Sequence, residues 1–295
     1  MTVIAIVGPT ASGKSALALR AAERDGGEIV SADSRQVYRG MDIGTAKPTP
    51  AEQRRVRHHC IDLVDPGEPY DAARFQRDGR AALAEIAARG RTAYVVGGTG
   101  LYVRALLDGL VLAAAPTDPL LRASLEARVV AEGGAALHRE LAALDPAAAE
   151  RVDPRNARRV VRYLELALLA GRVPRERGDQ VGGPRIGLAP PRAWLDARID
   201  ARVRRMVDDG VLDETRRLMD RGLDPRLPSM SAHGYVHWAA HLRGERTLDE
   251  AIAATAKDVR AYSRRQMTWF RKDPGIRWVD PTVADPLALL EPVAP

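Results

Sequence analysis

Two hydrophobic periods alternate along the first third of this chain. Residues 2–7 are a short apolar run that closes on a glycine, as a strand buried on both faces would, and residues 14–24 follow with apolar positions at helical spacing. A second strand is predicted at 28–32. A third is predicted at 92–96, after an alanine-rich helical stretch at 77–89. Strands alternating with helices point to a parallel α/β sheet with ligands at the carboxyl ends of its strands. From 118 to 171 the pattern becomes helical throughout, rich in Ala, Leu and Arg, with Pro119, Pro146 and Pro154 near helix starts. This predicts an all-helical insertion. Residues 173–187, rich in Gly, Pro and charge, read as a mobile connection. Helices with basic polar faces are expected at 192–221 and 248–271, and the proline-bearing tail from 274 is expected to end irregularly. The expected division is a first part of the α/β core at 1–115, the helical insertion at 116–190, and C-terminal helices completing the core at 191–295.

With 295 residues and 45% hydrophobic content, the chain can bury one sizeable core and a second, smaller one. A formal net charge of +6 and a pI near 9.7 favour a polyanionic partner. Nearly all the positive charge is arginine, which suits bidentate phosphate contacts and stacking on bases, although arginine-rich codon usage produces the same bias. The single cysteine, Cys60, excludes an internal disulfide framework and a cysteine-based zinc finger, and implies a reducing compartment. No run approaches the roughly 18 apolar residues of a membrane span, and no signal-peptide pattern precedes the first strand. A soluble, cytoplasmic chain without a membrane partner is expected.

The strongest motif is Gly8-Pro9-Thr10-Ala11-Ser12-Gly13-Lys14-Ser15, a full G-x-x-x-x-G-K-[ST] match between a predicted strand and helix. Its backbone N–H groups can cradle a diphosphate, Lys14 can neutralise it, and the Ser15 hydroxyl can hold Mg²⁺. The motif specifies polyphosphate without specifying a nucleotide. A phosphoryl-transfer P-loop protein also needs an acidic residue at a later strand end. The strand at 92–96 instead runs into Gly97-Gly98-Thr99-Gly100, either a second anion-facing turn with the Thr99 hydroxyl or an ordinary strand-to-helix turn. The acidic residue stands after the second strand, in Ser31-Ala32-Asp33-Ser34-Arg35-Gln36-Val37-Tyr38. Asp33 can serve there as a base or hold Mg²⁺ through water. Gln36 carries the amide that pairs with the N6/N7 edge of adenine, or is simply solvated. His58, His59 and Cys60 fit no zinc spacing and are expected to be structural.

Together these segments resemble the tRNA dimethylallyltransferase (isopentenylpyrophosphate transferase) family. The resemblance is carried by residues 8–15 and by Ser-Ala-Asp-Ser-Arg-Gln-Val-Tyr-Arg-Gly-Met-Asp-Ile-Gly-Thr-Ala-Lys-Pro at 31–48. It extends through His58-His59, Ile61-Asp62, Asp65-Pro66 and Val-Gly-Gly-Thr-Gly-Leu-Tyr at 96–102. It continues in residues 156–165, Arg264-Arg265-Gln266 and Thr268-Trp269-Phe270-Arg271, so it covers nearly the whole chain. It implies a P-loop NTPase-like sheet flanked by helices, with the P-loop holding the diphosphate of dimethylallyl diphosphate; Mg²⁺ is the expected cofactor, and a monomer is the default expectation. By resemblance Asp33 is the general base, with Lys14 and Thr99 also catalytic. Thr10 and Thr99 contact the leaving group or the base, and Arg198 and Arg202 lie near the diphosphate, although their spacing also fits a solvated helix face. Asp33, Ser34, Arg35, Gln36, Thr99, Arg122, Arg158, Arg159, Arg162, Arg264 and Arg265 would face the tRNA. The expected reaction is prenylation at N6 of the adenosine next to the anticodon, position 37, after that base is splayed from its stack. Where the family usually has Ile-Gly-Tyr and then Lys or Arg, this chain has His233-Gly234-Tyr235-Val236, which removes a basic contact; Arg264 replaces a usual Lys and keeps the charge. Rival readings are a P-loop kinase with the insertion as its lid, an enzyme prenylating free adenine nucleotides, and an RNA-binding protein that uses a nucleotide only as a switch. ATP turnover, the basic insertion and the Asp33 segment, respectively, discriminate these.

Overall fold

The computed structural model describes residues 2–110, 112, 116–173, 179–224, 227–230 and 234–290. The α/β part begins β1 (Val3–Val7), α1 (Lys14–Asp25), β2 (Glu28–Ser31), α2 (Pro50–Arg55), β3 (His58–His59), α3 (Ala72–Ala88), β4 (Ala93–Gly97) and α4 (Gly100–Leu107). A helical stretch follows: α5 (Pro119–Glu132), α6 (Gly134–Leu144), α7 (Pro146–Ala149) and α8 (Ala157–Ala170). The chain then returns as β5 (Arg185–Leu188), α9 (Arg192–Asp208), α10 (Val211–Asp220), α11 (Tyr235–Leu242), α12 (Leu248–Phe270) and β6 (Ile276–Val279).

The six strands form one sheet in the order β3-β2-β4-β1-β5-β6, and every pairing is parallel. Alternation along β1 serves two cores. Val3, Ala5 and Val7 pack with Phe75, Leu83, Ile86 and Leu106 of α3 and α4, while Ile4 and Ile6 pack with Leu17, Ala18 and Ala21 of α1. Beyond the sheet, α9 to α12 share an apolar cluster around Trp238, Ile199 and Val203. No described helix is long and apolar enough to cross a membrane.

Three expectations change. The connection expected at 173–187 overlaps β5, which lies between β1 and β6. Its Ile186 and Leu188 are buried, so neighbouring strands, and not a local apolar run, make it a strand. The tail, expected to end irregularly, first forms β6, which pairs with β5 over all four residues. The helix expected at 192–221 breaks at Gly210, whose φ of 96° is a left-handed conformation that suits glycine, giving α9 and α10.

Gly109–Asp179 form a compact unit of their own, and the remainder of the chain forms the other. The excursion therefore ends before β5, short of the 190 expected. At its root the Val181 N–H donates to Leu107 O at 2.9 Å. Inside the excursion, Glu165 of α8 is fully buried and accepts hydrogen bonds from Arg122, Arg162 and the Asp118 N–H. Burial opposes its ionisation, but these donors outweigh it and hold the carboxyl below its ordinary value. Arg122 and Arg162, expected to face tRNA, thus also pair with a buried anion while their side chains stay 39% and 30% exposed. Replacing both with alanine leaves that carboxylate nearly unpaired and is expected to cost about 3 kcal/mol or more of stability, seen as a lower urea midpoint. If they were phosphate contacts instead, tRNA affinity would fall with stability unchanged.

Candidate active site

The site lies where β1, β4 and β2, adjacent in the sheet, end together. After β1 the P-loop turns through Gly8 (φ 147°) and Ala11 (φ 64°), and α1 starts at Gly13 (φ 98°) without a side-chain cap. The first amides of α1 are therefore available to an anion. The Lys14 ammonium donates to Pro9 O at 3.3 Å. Burial lowers its pKa to about 8; nearby Asp33 opposes this shift and Arg202 reinforces it.

Lys14, Ser15, Thr10, Asp33 and Arg202 line one polar cavity of about 50 Å³. Asp33, just past β2, accepts the Arg35 N–H on Oδ1 at 2.9 Å. Arg202 of α9 donates to Thr10 Oγ1 at 3.3 Å, and burial pulls its pKa below the usual guanidinium value against the pull of Asp33. Arg198 donates to Ala11 O at 3.1 Å and lies 4.6 Å over the Trp194 ring. The two arginines thus meet the P-loop, which a merely solvated helix face would not do.

The glycines at the end of β4 allow close packing. A Cβ on Gly97 would fall 2.0 Å from Ala32 O, and one on Gly98 would fall 2.0 Å from Gln266 Nε2. The Thr99 amide is bonded to Ala32 O at 3.2 Å, and the residue's hydroxyl, the group expected to face an anion, donates to Ser34 Oγ at 3.3 Å. The Thr99 hydroxyl accepts the Ser34 N–H at 3.1 Å and so braces the Asp33 segment. Gln36 also departs from expectation. It is buried, its Oε1 accepts from Ser31 Oγ at 2.8 Å, and its Nε2 donates to Ala46 O at 3.1 Å. Its amide, expected to pair with adenine or to be solvated, is bonded within the wall of the cavity that contains Asp33 and is not solvated.

Two residues of α12 complete the site. Gln266 accepts the Thr10 N–H at 2.8 Å and donates to Gly98 O at 3.0 Å, tying the P-loop to the turn after β4. Tyr262 lines the same cavity; burial raises its phenol pKa, and hydrogen bonds with Thr99 and Gln266 oppose that rise. Tyr262 also borders a larger pocket of about 460 Å³ lined by Ser34, Arg35, His237, Asp258 and Arg265. Arg35 donates to Pro228 O. Arg265 lies 5.8 Å from the Tyr262 ring centroid, and Arg264 is exposed beside it on α12. In the excursion Arg158 is exposed, and Arg159 reaches the Tyr163 hydroxyl at 2.9 Å. His233 lies outside the described residues; Val236 lines the larger pocket, beside His237, whose Nε2 is 2.8 Å from Asp258. His59 pairs with buried Glu28 at 2.7 Å, which makes it structural.

The donor set fits Mg²⁺: a hydroxyl and a carboxylate, both hard oxygen ligands, line one cavity. No group of three or more His, Cys, Asp or Glu among the described residues forms an all-protein metal site, so a cation here would need substrate oxygens and water.

A family model described as IPP transferase matches residues 36–273, and one described as isopentenyl transferase matches residues 1–63. This chain belongs to the IPP transferase family. Among relatives of the family, a tRNA dimethylallyltransferase of Anaeromyxobacter dehalogenans is 53% identical over 296 residues, covering 98% of each chain. One of Thermomicrobium roseum is 49% identical over 284 residues, covering 95% of this chain and 86% of the other. The crystal structure of the full-length tRNA isopentenylpyrophosphate transferase of Bacillus halodurans superposes with a TM-score of 0.72 at 42% identity, covering 98% of this chain and 93% of that one. A eukaryotic dimethylallyltransferase acting on tRNA superposes with a TM-score of 0.80 at 26% identity, covering 95% and 73%.

Proposed function

We propose that this chain transfers a dimethylallyl group from dimethylallyl diphosphate to N6 of the adenosine next to the anticodon of tRNA, position 37, and releases diphosphate. The observation that carries the reading is the shared cavity of Lys14, Arg202 and Asp33. It pairs an anion cradle with a carboxylate that can take a proton, and no phosphoryl acceptor is needed. The N6 lone pair attacks C1 of the allyl group, the C1–O bond breaks toward the P-loop, and Asp33 takes the N6 proton. Lys14, Arg202 and the α1 amides stabilise the charge that develops on the leaving diphosphate. Ser15 would hold Mg²⁺, which would supply further neutralisation of the diphosphate.

The P-loop residues Gly8 to Ser15, with Arg198, form the diphosphate site. The base, splayed from its stack, enters from the side of Ser34, Arg35 and Thr99. Arg158, Arg159, Arg264 and Arg265 meet tRNA phosphates. The enzyme acts as a monomer in the cytoplasm.

Incubation with Mg²⁺, dimethylallyl diphosphate and unmodified tRNA with an adenosine-rich anticodon loop, followed by mass analysis of the nucleosides, tests this. One five-carbon prenyl group gained on adenosine without ATP is expected; phosphate transfer from ATP to a small acceptor, with no gain on tRNA, would replace it with kinase chemistry. Binding should also depend steeply on salt. Raising NaCl from 50 to 200 mM is expected to weaken tRNA binding by at least about tenfold, because each neutralised phosphate releases counterions.

A further inference from the structure

Residues 42–47 connect to the cavity wall without belonging to any helix or strand. Their anchor lies far away in sequence. Glu214 of α10, only 2% exposed, accepts the N–H of Asp42 and of Ile43 on Oε2 at 2.7 and 2.8 Å. Its Oε1 accepts the Gly44 N–H at 3.0 Å and the Tyr235 hydroxyl at 2.7 Å. Three successive amides converging on one anion make a nest, here filled by the protein's own carboxylate. Tyr235 packs so tightly over the nest that a Cβ on Gly44 would fall 2.5 Å from its Cζ. Lys47 closes the other end of the loop, pairing with Asp42 and Asp62 at 2.5 and 2.6 Å and donating to Tyr38 O at 2.8 Å.

Between these anchors stand Thr45 and Ala46, both lining the cavity that contains Lys14 and Asp33. Ala46 has a φ of 48°, a left-handed conformation a non-glycine residue keeps only when its surroundings impose it. Its carbonyl, with that of Thr45, receives the Gln36 amide.

We propose that Glu214 and Tyr235 are positioning residues for prenyl transfer. By fixing residues 42–44 they set the carbonyls of Thr45 and Ala46, and these set the Gln36 amide in the wall against which the acceptor base is placed. The inference rests on the transfer reaction proposed above. Neither residue lines that cavity, so both act through the loop. The P-loop and Arg202 are held by bonds outside this clamp as well, so its loss is expected to act first on the acceptor side of the reaction.

Glu214→Gln replaces one acceptor oxygen with an NH₂ that faces N–H or O–H donors. Its kcat is expected to fall about tenfold or more, through misplacement of the wall, with KM for dimethylallyl diphosphate unchanged. Hydrogen exchange should quicken at the amides of 42–44 and not in β1 or β4. Tyr235→Phe removes a single donor and should shift kcat in the same direction by about threefold, which keeps the test open if Glu214→Gln does not fold. Unchanged kcat in either folded variant, or a rise in KM for the diphosphate equal to the loss in kcat, would overturn the clamp. Wild-type protein assayed alongside separates the two levels: with no prenyl transfer by the wild type the reaction itself fails, and the clamp with it.

Discussion

Asparagine in place of Asp33 is expected to slow prenyl transfer by about 10²–10⁴-fold, the usual contribution of a placed general base. The change is nearly isosteric and keeps the acceptor for the Arg35 N–H, so the segment after β2 should hold its shape. What disappears is the group that takes the N6 proton. tRNA affinity should be equal or slightly higher, since a negative charge leaves a surface that meets phosphates. Single-turnover assays by nucleoside mass, beside filter binding, read both quantities. Product formed at the wild-type rate would remove Asp33 from the chemistry, and loss of binding in parallel would make it a structural residue.

The second large effect belongs to Lys14. Lys14→Met removes the cation at the diphosphate and is expected to lower kcat by about 10²–10³-fold, the scale for losing one preorganised charge-stabilising donor, with tRNA affinity unchanged. The same residue gives a pH signature. Burial lowers its pKa to about 8 in the free protein. The charged form predominates below that pH and is lost above it, while a bound diphosphate favours the charged form. Binding of the donor should therefore take up a proton at alkaline pH, and KM for dimethylallyl diphosphate should rise by up to roughly tenfold per pH unit above about 8. In Lys14→Met that rise should vanish. In Asp33→Asn it should begin at lower pH, because Asp33 is the neighbour that raises the Lys14 pKa. An identical pH profile in all three proteins would dissociate Lys14 from the diphosphate.

The parts of the site written in short contiguous segments were legible from sequence. Gly8 to Ser15 sit between β1 and α1, and Asp33 follows β2, because a buried strand, a glycine turn and a helix each carry local signals. Arg198 and Arg202 were named only through the family resemblance, since their four-residue spacing fits a solvated helix face as well, and the contact with Ala11 and Thr10 spans more than 180 residues. The same distance hid Gln266, whose amide bridges Thr10 and Gly98, and Glu214, whose partners lie about 170 residues upstream. A glutamine or glutamate on a helix looks solvated until the fold brings backbone donors to it. Arg122 and Arg162 show the limit of charge alone: it suggested RNA, and it gave no sign that both also pair with fully buried Glu165, which only the fold brings to them. β5 escaped because four residues containing a glycine have no period of their own, and only β1 and β6 on either side make Arg185–Leu188 a strand.

The bond between Val181 and Leu107 has an evolutionary implication. The chain leaves the sheet-bearing unit and re-enters it at nearly the same point, so the helical excursion is attached like a handle, by two neighbouring stems. Shortening, enlarging or exchanging that handle leaves strand order, cradle and base where they are. The excursion can therefore vary in length and sequence within such a lineage while the sheet and P-loop stay fixed, each under its own selection.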